Sequence, residues 1–186
     1  MIASRRTALT GGIALAGSFT LMAGAARAAS ASELYQDGRA ALNRLYENES
    51  KARLFMEHAR AVRIFPRIIK AGFIVGAQTG DGVLLQGDQP LGYYNISAAS
   101  YGLQAGAQEF SYALFFMNDG ALQYLRSSDG WSVGAGPSIV VMDKGKAFSS
   151  TTTTMTQDVY AFPFGASGLM AGMGIEGSKI TQIYPN

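Results

Sequence analysis

Glycine is nearly missing from one part of this chain and recurs every few residues in the next, and that division limits the folds open to it. From Ser32 to Ala61 there is no proline and a single glycine, Gly38. Leu34, Ala41, Leu42 and Leu45 recur there at helical spacing. The pattern predicts a helix from Glu33 to Tyr46, with Ser32 placed to cap it, and a second from Glu49 to Ala59 capped by Asn48. The character changes near Lys70. Beyond Gly72 come short runs rich in Gly, Tyr, Val and Ile: "AGFIVGAQ", "GVLLQ", "LGYYNISAASYGLQ", "FSYALFFM", "WSVGAGPSIVVM", "VYAFPF", "GLMAGMGI" and "KITQIY". These have the length and composition of strands. Turn chemistry separates them in "TGDG" (79–82), "GDQP" (87–90), "SDG" (128–130) and "DKG" (143–145), and a short helix is expected from Ala121 to Ser127. With no long helical crossover between strands, the sheet is expected to be antiparallel and the class α+β.

Within the strand patterns Gly72, Gly76 and Gly80 recur every four residues, as do Gly102 and Gly106. In a strand each set lies on one face, where missing side chains permit sharp coiling or the close approach of a helix or ligand. The expected body is therefore a Gly-rich, strongly coiled and barrel-like sheet beside the N-terminal helices. Its small-residue surface serves either tight packing or a cavity with Gln104 and Gln108 as polar landmarks. The Thr-rich "SSTTTTMT" (149–156) reads as a loop or an edge strand.

Residues 1–28 have the layout of an export signal. Arg5 and Arg6 open it, an apolar run extends from Ala8 to Ala25, and Ala26-Arg27-Ala28 offers a small-x-small cleavage site. The paired arginines, the Gly-containing run and Arg27 point toward twin-arginine export, with the general secretory route as the alternative. Periplasmic or cell-envelope residence follows from either. Removing Arg5, Arg6 and Arg27 takes the formal net charge from +2 to −1, so the basic character belongs to the precursor and nucleic acid is not an expected partner. Residues 29–186 suit one domain, long enough to bury roughly two thirds of its unfolded surface. Without cysteine there is no disulfide framework or thiolate chemistry.

Catalytic arrangements fail by elimination. His58 is the only histidine, so a Ser-His-Asp triad or a multi-histidine metal site has too few members. "GMGIEG" (172–177) matches the dinucleotide glycine pattern, but nine residues follow it, too few for the required helix and strand. No P-loop is present, and the acids are scattered singly. No enzymatic activity, cofactor or metal is expected.

The feature that does call for a function is "KARLFMEHARAVRIFPRIIKAG" (51–72). Lys51, Arg53, Arg60, Arg63, Arg67 and Lys70 fall within it against one acid, Glu57. If helical, Arg53, Arg60, Arg63, Arg67 and Lys70 share one face. If "VRIFPRII" is extended, as its β-branched residues and Pro66 favour, Arg63, Phe65 and Arg67 share one face instead. Either form gathers cations around an aromatic, suited to an anionic membrane surface with the Phe entering the interface. Each such cation contributes about 1 kcal/mol near an anionic surface before screening. A solvated face over a core of aliphatics is the competing reading.

The run "RIFPRIIKAGFIVGAQTGDGVLL", followed by "YYNISAASYGLQAGAQ", "ALFFMNDGAL", "WSVGAGPSIVVMD" and "GLMAGMGIEGSKI", resembles the SYLF-domain family of lipid-binding proteins. The resemblance implies phospholipid binding through a basic, amphipathic N-terminal region beside a β-rich body, with phosphoinositides as ligands and actin association in some eukaryotic members. For a stand-alone exported bacterial member it implies anionic glycerophospholipids instead, and actin is not an expected partner. The expected lipid-binding residues are Lys51, Arg53, Arg60, Arg63, Phe65, Arg67 and Lys70. The alternative is a soluble carrier holding a lipid or other apolar ligand in the sheet.

Overall fold

The computed structural model describes residues 29–128, 130–142, 155–166 and 177–186, with side chains at 72–75 and 100–106 excepted. The export-signal segment, the Gln104 side chain, "DKG", "GLMAGMGI" and most of the Thr-rich stretch lie outside what is described. Helix α1 runs Ala31–Asn48 and α2 Lys51–His58. The cap of α1 is Ser30, two residues earlier than the sequence suggests: Glu33 N–H donates to Ser30 Oγ (3.2 Å) while Ser30 N–H donates to the Glu33 carboxylate (2.7 Å). This reciprocal capping box satisfies two otherwise unpaired helix donors. Ser50 precedes α2 and makes no side-chain cap.

Two strands follow whose length is the main departure from expectation. β1 spans Ala61–Gln86 and β2 Gln89–Phe116. They pair antiparallel from Ala61↔Phe116 to Gln86↔Gln89 around a turn at Gly87, whose φ is +59°. "GDQP" is therefore a turn as expected. "TGDG" is not, since Thr79 to Gly82 continue β1 opposite Ser97 to Tyr94. A straight strand of 26 residues would reach roughly 85 Å, about twice the width of a domain this size, so the hairpin has to curl. Gly80 and Gly82 mark where it does. A Cβ on Gly82 would stand 2.3 Å from the Ile64 carbonyl oxygen, and one on Gly80 2.4 Å from that of Arg67. The second half of β1 thus crosses close over its own first half, a contact open only to glycine.

β2 carries two further partners along its other edge: β6 (Lys179–Ile183) beside Tyr93 to Ser97, and β5 (Val159–Phe164) beside Ser111 to Phe116. The short β3 (Trp131–Ser132) pairs with β6. β4 (Ile139–Val141) pairs with β5 in parallel, so the sheet is mixed where a wholly antiparallel one was expected. A parallel pair needs a connection of a dozen or more residues, which the stretch from Met142 to Asp158 supplies without a helical signature in the sequence. The result is an α+β structure, helices first and then a curled sheet forming a half-barrel.

Both faces of the sheet are covered. On one, Val62, Ile64, Val83, Ala113, Phe115 and Phe162 pack against Leu42 and Leu45 of α1 and Phe55 of α2. Gly38 lets α1 approach, since a Cβ there would lie 2.5 Å from Val83 Cγ1. On the other, Phe65, Ile68, Tyr94, Tyr112, Phe116 and Trp131 fill the curl together with Ala121, Leu122 and Leu125 of α3, Asp119–Ser127. Asn118 caps α3 by accepting from Ala121 N–H (2.8 Å) and donates to Asp158 (2.7 Å). Asp158 also accepts from Ser138 N–H and Ser138 Oγ, both at 2.8 Å. The Ser138 backbone bond first, then the Asn118 and Ser138 side-chain bonds, hold its carboxyl below the usual range. The stabilisation is present at neutral pH and is lost as pH falls through that lowered value.

Candidate functional site

The basic block divides when it folds. Lys51 and Arg53 lie in the first turn of α2, which contains no acid, so their charges oppose the helix dipole. Arg53 rests over the Tyr46 ring at 4.9 Å. Tyr46 has a buried hydroxyl without a hydrogen-bond partner, and burial pushes it up to about 12. Arg60 is exposed just before β1, its Nε 3.6 Å from Asp119 at the start of α3. Arg67 is exposed and pairs with Glu109 at 2.8 Å. Lys70 is half-buried opposite Gln108, itself half-buried. His58 closes α2 with Nδ1 2.9 Å from the Leu54 carbonyl.

Arg63 and Phe65 do not join this exposed set. Both have 0% exposure. Strict alternation would put Arg63, Phe65 and Arg67 on one face, but β1 shifts register between Phe65 and Ile68, so Pro66 and Arg67 together stand opposite Ser111. This bulge suits a proline that cannot donate to the ladder, and Ser111 Oγ binds the Pro66 carbonyl at 2.8 Å. Its effect is to aim Arg67 outward and return Ile68 to the interior with Phe65. The expectation that Arg63 and Phe65 face a lipid surface is therefore corrected. The exposed apolar side chain near the cations is Ile69, 41% exposed and opposite Glu109, the residue that binds Arg67. Pro66 inside a strand pattern was the signal for it, since such a proline implies a bulge and reverses the faces beyond it.

Arg63 is the least ordinary residue in the molecule. It points into the curl, its guanidinium carbon 3.8 Å from the Tyr94 ring centroid and 5.6 Å from that of Phe116. None of its three side-chain nitrogens has a hydrogen-bond partner. The Tyr94 ring lies against the guanidinium, a contact that is cation–π in kind. Burial pushes the group down to about 9, with the neighbouring Tyr94 acting in the opposite direction. Arginine keeps its proton at neutral pH, so the shift expresses a poorly solvated charge.

A groove of about 370 Å³ lies between the end of α1 and the end of β5, where Leu45, Met142, Phe162 and Phe164 line it together with Arg44 and Glu49. Among the described residues no helix is long and apolar enough to cross a membrane.

Residues 97–184, from within β2 to just past β6, match the family described as Ysc84, Las17-binding protein actin regulator. Over these residues the chain is similar to the SYLF-domain family. No curated protein matches it. The SYLF family is associated with lipid binding, and Ysc84 with actin binding. The matched SYLF residues cover most of β2, α3 and the later strands, whereas α1, α2 and β1, with all seven expected lipid-binding residues, precede them.

Proposed function

We propose that the chain is a non-catalytic lipid-binding module of the bacterial cell envelope that meets anionic phospholipid surfaces through its N-terminal part. The observation that carries this reading is the exposed cation set left after folding. Arg53, Arg60 and Arg67 remain exposed, Lys51 and Arg53 sit where a helix dipole disfavours them, and Ile69 offers an exposed apolar side chain beside Arg67. Cations held against the dipole cost a few tenths of a kcal/mol each, a cost that an anionic partner would offset. The similarity of residues 97–184 to the SYLF family supports the lipid as that partner.

The test is co-sedimentation of the mature chain with vesicles of phosphatidylcholine containing increasing phosphatidylglycerol, at low and high salt. Binding should rise with the anionic fraction and weaken with salt. Arg67→Glu should reduce affinity about thirtyfold, since a reversal near such a surface costs about 2 kcal/mol. Stability should hardly change, because the Arg67–Glu109 pair is more than half exposed on both sides, at 65% and 58%. Wild-type binding by a folded Arg67→Glu protein would leave the block a solvated face. Export by the leader belongs to the same proposal: intact mass should show a chain beginning at Ala29, and retention of residues 1–28 would remove the envelope from it.

The groove beside Arg44 favours a second reading, a carrier that shelters one apolar chain between α1 and β5. Binding there would persist at high salt.

A further inference from the structure

Arg63 is a cation without an anion, and the fold spends stability to keep it. It is fully buried among Tyr94, Phe116 and the rest of the interior cluster, with every guanidinium nitrogen unpaired. A buried charge is ordinarily paired, and an apolar side chain of similar volume is often the more stable occupant. Its position also bears on access. Arg63 pairs with Leu114, two residues before the last β2 residue, Phe116, and three residues beyond Phe116 the chain enters α3. α3 enters the interior through only Ala121, Leu122 and Leu125, and the Arg60–Asp119 pair at its start is exposed. Local opening of such a short element is cheaper than opening the hairpin.

We propose that Arg63 is an interior receptor for an amphiphile with one anionic oxygen head, the head meeting the guanidinium and the apolar body lying against Phe65, Tyr94 and Phe116. A guanidinium presents a planar fork of N–H donors that suits carboxylate and phosphate oxygens equally. The aromatic surroundings would accept an alkyl chain and offer nothing to a second charge. This site differs from the outer cations and does not depend on them: a chain that never binds a vesicle still holds the unpaired guanidinium.

The experiment is a set of thermal melts on the mature protein and on Arg63→Met, alone and with sub-micellar decanoate, with inorganic phosphate, and with decanol. Arg63→Met should melt roughly 4–8 °C above wild type when no additive is present, because the unpaired charge is gone. Decanoate at about a hundredfold excess over its Kd should raise the wild-type melting temperature by roughly 5–10 °C and leave Arg63→Met unmoved. Should inorganic phosphate act as decanoate does on wild type alone, the receptor stands and its ligand is a free anion. Decanol raising wild type as much as decanoate would overturn the proposal, as would an equal decanoate response in the variant. Arg63→Met melting well below wild type would also overturn it, by making the residue a structural support. If that variant fails to fold, the decanoate and decanol melts of wild type decide alone, with Arg63→Lys expected to retain a reduced decanoate response.

Discussion

Gly82→Ala should lower the melting temperature by roughly 10 °C, the penalty of placing one methyl group where two parts of a strand cross. The added Cβ would stand 2.3 Å from the Ile64 carbonyl oxygen and 2.6 Å from Phe65 Cδ1. The first neighbour is backbone within a paired strand, so it cannot rotate away; the second ring is fully buried. Overpacking a filled site costs typically 1–3 kcal/mol and more where backbone must move, so about 3–4 kcal/mol is expected here, at roughly 2–4 °C per kcal/mol for a chain of this size. Gly87→Ala is the control. Gly87 has φ +59° and nothing within 4 Å of an added Cβ, so it loses only about 1–2 kcal/mol from the left-handed backbone. Equal losses at the two sites, measured by calorimetry, would mean that the strand does not cross itself closely.

Phe55→Ala should cost about 3–5 kcal/mol, for a different reason. Phe55 is fully buried and anchors α2 to the sheet, its ring 4.8 Å from Tyr160, 5.0 Å from Phe162 and 6.3 Å from Phe115 between centroids. Truncation leaves a ring-sized void and removes edge contacts that add to area burial. An eight-residue helix has little stability of its own, so α2 should become the first segment to exchange its amide protons. Urea unfolding and hydrogen exchange at 51–58 report the two effects separately. A loss under about 1 kcal/mol with unchanged exchange would show that α2 does not depend on this anchor. Because α2 carries Lys51 and Arg53, vesicle binding should weaken in the same variant.

The helices were legible because their signals are local: Leu34, Ala41, Leu42 and Leu45 reach the core as their spacing implies. The short strands near the end were legible for the same reason, as in "VYAFPF" and "KITQI". What the sequence concealed was continuity. Glycine and aspartate at 79–82 have turn chemistry in isolation, yet here tertiary contact decides: Gly80 and Gly82 face another strand segment, and Asp81 accepts a hydrogen bond from Asn95 across the ladder at 2.7 Å. The candidate site was half legible. Arg60 and Arg67 are exposed as the charge pattern implies, while Arg63 reads no differently from them in sequence and is buried, because no local rule anticipates an unpaired guanidinium in an aromatic interior.

The bulge at Pro66 and Arg67 also bears on how the chain tolerates changes of length. Two residues there stand opposite Ser111, so losing one would leave Phe65 paired with Tyr112 and Ile68 with Phe110, both still facing inward. At neighbouring positions of β1 the arithmetic is unforgiving. One residue inserted or deleted between Ala61 and Phe65 would exchange the helix-covered face for the interior one, moving Ile64 to where Arg63 now lies. Loss of one residue is therefore expected to survive at the bulge, and a change of one residue between Ala61 and Phe65 to be excluded.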